Sequence, residues 1–196
     1  MVDLSLKMDY FRSHRPFLTS LPRVSTENSI LTYRESEFSW IRCEGKGSFL
    51  NSSALKKWAD DEIDHGVDCV VVDLTACTGM DSTFMGTLAG LAMRLMKRPS
   101  GVLQIAEPGN RNRKSLEDLG LNALMEIEPK DAVWRDQIDR IRGELKPYNG
   151  ASQKPANAPA VLEAHQKLCE ADDRNVEKFG TVLDFLEAEV EAKKRN

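Results

Sequence analysis

Hydrophobic and polar positions in the middle of the chain follow two different periods, one after the other. Cys69 to Leu74 is a short run of mostly β-branched apolar residues, which is the pattern of a strand buried on both faces. Phe84 to Leu95 is apolar around most of a helical circumference, which predicts a helix packed against a sheet. The polar stretch between them, Thr75 to Asp81, predicts a turn. We therefore expect the rest of the chain to serve as scaffold for this unit of strand, turn and helix.

The flanking sequence predicts further strands and helices in alternation. Alternating apolar and polar residues predict two antiparallel strands joined by a turn at residues 34–36. The five predicted strands are Ser29–Tyr33, Glu37–Cys43, Cys69–Leu74, Val102–Ala106 and Leu124–Ile127. Apolar residues at helical spacing predict four helices, which end at Gly66, Pro99, Gly120 and Gly143. This order predicts an α/β fold, a mixed sheet of about five strands flanked by about four helices.

Composition divides the chain into four segments. Residues 1–28 mix charges and prolines without a sustained period, which predicts a flexible N-terminal arm. The core domain is expected at residues 29–145, and residues 146–159, with three prolines, are expected to form a linker. Residues 160–196 predict a C-terminal extension of two helices. Because two helices alone bury little apolar surface, we expect the extension to pack on the core, pair with another copy or meet a partner.

Overall charge restricts the classes of partner. The 196 residues are 41% hydrophobic and carry a formal net charge of −4. Nucleic acids and anionic membranes select a basic face, so neither is expected as the main partner. The sequence contains no apolar run of the roughly 18 residues that a membrane span needs, and its N-terminus lacks the apolar core of a signal peptide. We therefore expect a cytoplasmic protein.

The cysteines do not form a metal-binding pattern. Cys43, Cys69, Cys77 and Cys169 include no CxxC pair, and no histidine is close enough in sequence to complete a zinc site. We expect reduced, structural thiols, with Cys77 of particular interest because it precedes Asp81 by only four positions. The chain also contains no glycine-rich phosphate loop or dinucleotide fingerprint, so no cofactor is expected.

Candidate chemistry is concentrated where the central helix begins. Asp81, Ser82 and Thr83 place one carboxylate and two hydroxyl groups at this end of the helix. A phosphate on such a serine would be stabilised by free backbone N–H groups and by the helix dipole. The simpler interpretation is that Ser82 or Thr83 only caps the helix, which contributes about 1 kcal/mol. Asp73, at the end of the preceding strand, is expected to cap the turn or to help shape this site.

From Ser29 to Leu145 the chain resembles the STAS domain of the anti-sigma factor antagonists. The specific part of the resemblance is the strand Val70 to Leu74 followed by Met80-Asp81-Ser82-Thr83. In that family a partner kinase, which is also the anti-sigma factor, phosphorylates the serine directly after the aspartate. The resemblance thus implies that Ser82 is the phosphoacceptor, with Thr83 as the alternative.

The same resemblance implies a partner-binding stretch and two protein partners. The stretch consists of Asp81, Ser82, Thr83, Phe84, Met85 and Gly86. The implied partners are an anti-sigma factor and serine kinase of the GHKL type and a phosphatase of the PP2C type. The family loop usually continues Asp-Ser-Ser/Thr-Gly-Leu-Gly, so this chain departs from it by carrying Phe84 in place of the first of those glycines.

These features predict a non-enzymatic anti-sigma factor antagonist that acts in a partner-switching pathway. The alternative is a STAS scaffold that is not phosphorylated and mediates assembly, with self-association through the C-terminal helices. An enzyme would need Ser82 or Cys77 as nucleophile with a base nearby. His14, His65 and His165 are far from one another in sequence and none is close to either residue, so an enzymatic role is not expected.

Overall fold

A computed structural model describes residues 28–149 and 154–195. The strands are β1 (Ser29–Arg34), β2 (Ser39–Gly47), β3 (Cys69–Asp73), β4 (Cys77–Met80), β5 (Val102–Ala106), β6 (Glu126–Ile127) and β7 (Lys146–Pro147). They form one mixed sheet in the order β6-β5-β3-β2-β1-β7, and β4 pairs with the far end of β2. Strands β2, β3, β5 and β6 are parallel, whereas β1 is antiparallel to β2 and to β7.

The helices pack around this sheet and beyond it. They are α1 (Ser52–Asp64), α2 (Ser82–Leu95), α3 (Gly109–Glu117), α4 (Ile138–Glu144), α5 (Ala158–Ala171) and α6 (Arg174–Arg195). Short 3₁₀ turns at Leu121–Ala123 and Arg135–Gln137 precede β6 and α4. The predicted α/β class and the predicted antiparallel first pair of strands are confirmed.

Two strands form where the sequence predicted a turn and a linker. Cys77–Met80 pairs in parallel with the end of β2, in the register Gly45↔Cys77 and Gly47↔Met80. Lys146–Pro147 pairs with β1 opposite Leu31 and Thr32. Neither segment has a strand-like apolar pattern. Each forms a strand because its backbone is hydrogen-bonded to a neighbouring strand that is distant in sequence. The prediction of irregular backbone was therefore wrong at these positions.

The sheet buries apolar residues on both faces, as the β-branched run of β3 predicted. Val70 and Val72 belong to the main core beneath α1, α2 and α3, whereas Val71 points to the opposite face. There Trp40 and Trp134 meet edge to face with ring centroids 5.3 Å apart, and both are buried. The β3 strand is thus enclosed on both faces, and the chain continues from its end through β4 to α2.

The C-terminal helices pack against the core. Helix α5 crosses α2, and its Leu168 is fully buried in the main core. A Cβ atom added to Gly86 of α2 would overlap the backbone carbonyl oxygen of Ala164, so the two helices approach backbone to backbone. Of the three arrangements considered for the extension, the structure shows packing on the core. The predicted arm at residues 1–28 lies outside the described residues except for Asn28.

None of the helices within residues 28–149 and 154–195 combines the length and the apolar character that a membrane span requires.

Candidate functional site

Asp81 fixes the start of α2 through three hydrogen bonds. Its backbone N–H donates to the carbonyl oxygen of Gly47 at 2.9 Å. One carboxylate oxygen accepts from the N–H of Phe84 at 2.8 Å, as an N-cap does, and the other accepts from the N–H of Phe49 at 2.9 Å. A single side chain therefore caps the helix and holds the turn after β2. This arrangement presents the next residue, Ser82, at the first helical position.

Replacing Asp81 with alanine is expected to lower the free energy of unfolding by about 1–2 kcal/mol, the usual range for loss of an N-cap. The N–H of Phe84 is partly buried and loses its acceptor, whereas the N–H of Phe49 is exposed and gains water. Urea denaturation of Asp81→Ala and Asp81→Asn measures the effect. The asparagine variant keeps one acceptor oxygen and should lose less; equal stability of the alanine variant and the parent protein would contradict this role.

Ser82 contacts a histidine from the C-terminal extension. Its Oγ lies 2.9 Å from Nε2 of His165 on α5. The other ring nitrogen, Nδ1, lies 2.8 Å from the carbonyl oxygen of Val161, which only accepts hydrogen bonds. Nδ1 therefore carries the hydrogen, and Nε2 accepts the hydrogen bond from the serine hydroxyl.

The position of His165 is fixed by both helices of the extension. The side chain is only 4% exposed. Its ring meets that of Phe179 on α6 edge to face, with centroids 5.3 Å apart. Sequence reasoning missed this contact because Ser82 and His165 are 83 positions apart. One signal was present: Val161, Ala164 and Leu168 recur at helical spacing around His165, so a polar residue lies on the apolar face of a helix.

The rest of the predicted partner-binding stretch is covered. Ser82 and Asp81 keep partial exposure, whereas Thr83, Phe84, Met85 and Gly86 are buried. The ring of Phe84 lies in the core beneath Gly47, where an added Cβ would overlap it, so it does not cover the hydroxyl of Ser82. Gly86 is covered by the backbone of α5. Ser82 is thus the more accessible of the two predicted phosphoacceptors.

An ionic cluster holds the loop that leads into β4. Asp73 is fully buried, and its Oδ1 accepts from the N–H of Thr75 at 3.0 Å, so it caps the turn as predicted. Arg142 of α4 donates to both carboxylate oxygens of Asp73, at 3.0 and 3.1 Å, and to Glu107 at 2.9 Å. Burial opposes the charge of Arg142, but its hydrogen bonds to Asp73 and Glu107 raise its pKa. The cluster is structural and does not contact Ser82.

The thiols and the ligand-forming side chains form no metal centre within residues 28–149 and 154–195. All four cysteines are free. Burial raises the pKa of Cys69 to about 12. The thiol of Cys43 lowers the pKa of the neighbouring Cys77. Cys77 is nevertheless buried, with only 8% of its surface exposed. Its thiol donates a hydrogen bond to the carbonyl oxygen of Gly79 at 3.4 Å.

No histidine is close to Ser82 in the sequence, but the fold brings His165 to it, and the imidazole accepts the hydrogen bond of the serine hydroxyl. This contact has the geometry of a nucleophile with its base. The other nitrogen of the imidazole, Nδ1, is however hydrogen-bonded to the backbone carbonyl of Val161 and not to a carboxylate. A cavity of about 310 Å³ lies between α1, α2 and α5, and neither Ser82 nor His165 lines it. The pair thus lacks the orienting acid of a catalytic triad and does not open into this cavity.

Comparisons with known proteins concern the core of the chain. The model of the STAS domain family matches residues 29–132. A putative anti-sigma factor antagonist from Thermotoga maritima is 16% identical, with a TM-score of 0.47 over 57% of this chain and 92% of that chain. The unphosphorylated anti-sigma factor antagonist SpoIIAA is 23% identical, with a TM-score of 0.43 over 58% and 96% of the two chains.

A third solved structure is similar to the same extent. An anti-sigma factor antagonist from Mycobacterium paratuberculosis is 18% identical, with a TM-score of 0.46 over 60% of this chain and 97% of that chain. No curated protein is significantly similar in sequence. Helices α5 and α6, which supply His165 and Phe179, lie beyond the residues that match the family.

Proposed function

Because the chain belongs to the STAS domain family, we propose that it is an anti-sigma factor antagonist in a partner-switching pathway, with Ser82 as its phosphoacceptor. The observation that carries the proposal is the position of Ser82. It directly follows the capping aspartate, occupies the first position of α2 and keeps partial exposure. Thr83 is the alternative acceptor, but it is only 6% exposed.

The geometry around Ser82 suits a change in charge without a change in fold. A phosphate at the first position of a helix faces free backbone N–H groups and the positive end of the helix dipole. It adds about −1.5 to −2 charges beside the carboxylate of Asp81. Since Asp81 fixes the turn through its own hydrogen bonds, the STAS core keeps its structure while the charge of its surface changes.

The partners follow from this chemistry. The unphosphorylated protein binds a GHKL-type serine kinase that is also the anti-sigma factor, and thereby releases the target of that factor. The kinase supplies ATP and Mg²⁺ and transfers phosphate to Ser82, which weakens the complex by like-charge repulsion and loss of fit. A PP2C-type phosphatase restores the serine. The chain itself has no catalytic step in this cycle, which takes place in the cytoplasm.

The experiment is phosphorylation of the full chain by a GHKL-type anti-sigma factor kinase from the same genome. The parent protein, Ser82→Ala and Thr83→Ala are incubated with ATP and Mg²⁺, and phosphate is located by mass spectrometry. We expect one phosphate at Ser82, absent from Ser82→Ala and present in Thr83→Ala. Ser82→Asp should bind the kinase at least about tenfold more weakly, since a like charge in an interface costs several kcal/mol. Phosphate at another site, together with unchanged binding of Ser82→Asp, would contradict the proposal.

A second candidate function is a STAS scaffold that is not phosphorylated and assembles through the extension. The observation that favours it is a set of exposed apolar residues on α6: Val176, Val182 and Phe185, the last of them 69% exposed. Analytical ultracentrifugation of the full chain and of Phe185→Ser distinguishes the two functions. A dimer that dissociates in Phe185→Ser supports the scaffold, and a monomer in both cases supports the antagonist.

A further inference from the structure

The surface of α2 around Ser82 is already occupied by the chain's own C-terminal helices. At one point the hydroxyl of Ser82 is hydrogen-bonded to His165. One helical turn further along α2, the backbone of Ala164 lies against Gly86, where no side chain would fit. Both contacts come from α5, which lies outside the residues that match the family. The stretch expected to bind a partner is thus covered within the same molecule.

The hydrogen bond between Ser82 and His165 does not survive phosphorylation of the serine. His165 is 4% exposed, with Nδ1 held by Val161 and its ring held by Phe179, so the imidazole cannot turn aside without breaking these contacts. Its Nε2 accepts a hydrogen from Ser82. A phosphorylated Ser82 has no hydroxyl hydrogen to donate and would place acceptor oxygens against this acceptor nitrogen.

The other end of the extension is anchored independently of α2. Asn175, fully buried at the start of α6, donates from Nδ2 to the carbonyl oxygens of Leu119 at 3.0 Å and of Leu168 at 2.8 Å. Lys178 donates to the carbonyl oxygen of Asp118 at 2.8 Å. The bonds to Leu119 and Asp118 hold α6 to the segment after α3, and the bond to Leu168 joins it to the end of α5. Local opening of α5 at Ser82 therefore does not require the whole extension to leave the core.

We propose that helices α5 and α6 (residues 158–195) act as an internal competitor that occupies the partner-binding face of α2, and that a negative charge on Ser82 expels α5. The proposal rests on the proposed function, since it assigns the regulation of the same serine. A kinase reaches Ser82 only when α5 has opened, because in the closed state the hydroxyl is bonded to His165. After phosphorylation α5 does not close again, and the phosphate itself, in place of α5, opposes binding of the anti-sigma factor. An anti-sigma factor that binds the unphosphorylated chain must displace α5 first, which lowers its apparent affinity.

Hydrogen exchange of the full chain, measured by mass spectrometry, tests the release without any kinase. The variants are Ser82→Asp, which carries a negative charge, and Ser82→Asn, which has nearly the same shape but is neutral and can donate to Nε2. Ser36→Asp adds the same charge in the exposed turn between β1 and β2 and serves as a control. We expect amides of α5 to exchange about tenfold faster in Ser82→Asp, the order expected when a buried hydrogen bond is lost. They should be unchanged in Ser82→Asn and Ser36→Asp, and amides of β3 and β5 should be unchanged in all variants.

Two results would overturn the proposal. Protection of α5 in Ser82→Asp equal to that of the parent protein means that charge does not expel it. Faster exchange in Ser82→Asp and Ser82→Asn alike means that crowding, and not charge, opens the contact.

A further variant, His165→Leu, removes the acceptor without adding charge and decides the outcome if Ser82→Asp fails to fold. Faster exchange confined to α5 in His165→Leu supports the proposal that the contact between Ser82 and His165 holds α5 on α2. Unchanged exchange overturns it. Because no kinase is used, a negative result here leaves the phosphorylation assay free to succeed or fail independently.

Discussion

Gly86→Ala should separate α5 from α2 and lower the free energy of unfolding by about 3 kcal/mol, the upper part of the range for an overpacked core. The added methyl group would overlap the carbonyl oxygen of Ala164. This obstacle is backbone, so it cannot be relieved by a change of rotamer. The two helices must move apart, and the hydrogen bond between Ser82 and His165 lengthens or breaks with them.

Gly90→Ala is the matched control for this substitution. It lies one helical turn further along α2, and its added methyl group meets only the flexible side chain of Lys167, at 3.4 Å. Alanine also has a helix propensity about 1 kcal/mol better than glycine, so this variant should be as stable as the parent protein or more so. Urea denaturation gives both free energies, and hydrogen exchange locates the change. Equal stability of the two alanine variants would show that the backbone contact between α2 and α5 is absent in solution.

Arg142→Met should destabilise the protein by about 3–5 kcal/mol, because it leaves a buried carboxylate without its partner. Asp73 is fully buried, and Arg142 supplies two hydrogen bonds to its carboxylate, at 3.0 and 3.1 Å. Without them, the hydrogen bonds that the described part of the chain still gives to this carboxylate come from Thr75. The loop that carries β4 and Asp81 depends on this turn, so a local effect at the start of α2 is also expected.

Arg140→Met provides the comparison on the same helix. Arg140 pairs with Glu35 at 2.8 Å, but the two side chains are 44% and 33% exposed. Exposed pairs contribute about 0–1 kcal/mol, so this substitution should have a small effect. Chemical denaturation of the two variants under the same conditions measures the difference. A loss in Arg142→Met no greater than that in Arg140→Met would mean that the carboxylate of Asp73 does not depend on the arginine.

Much of the fold follows from local sequence patterns. The apolar run of β3 and the helical spacing after Asp81 each indicate their structure within a few residues, because burial of one strand or of one helix face imposes its own period. The turn-capping role of Asp73 is equally local. The interpretation that Ser82 or Thr83 caps α2 was wrong, because Asp81 is the N-cap and Ser82 is the first residue of the helix.

The elements that sequence analysis missed depend on partners distant in the chain. Strand β4 exists because β2 continues to Gly47 and pairs with it, and β7 exists because β1 offers a free edge. Arg142 was not singled out, because its role depends on Asp73, which is 69 positions away. Backbone pairing and ion pairing leave no periodic signal in the sequence. No pattern along the chain could therefore have shown β4, β7 or the role of Arg142.

The candidate site shows the same division. The sequence by itself determined that an acidic residue and two hydroxyl groups stand where α2 begins, because capping and helical periodicity are set by residues within one turn of each other. It also indicated that the two C-terminal helices needed a surface to cover. Only the tertiary structure decided that this surface is α2 and that His165 meets Ser82. Such a contact arises from the packing of whole helices, which depends on the shape of both surfaces, including the absence of a side chain at Gly86, and not on any local pattern.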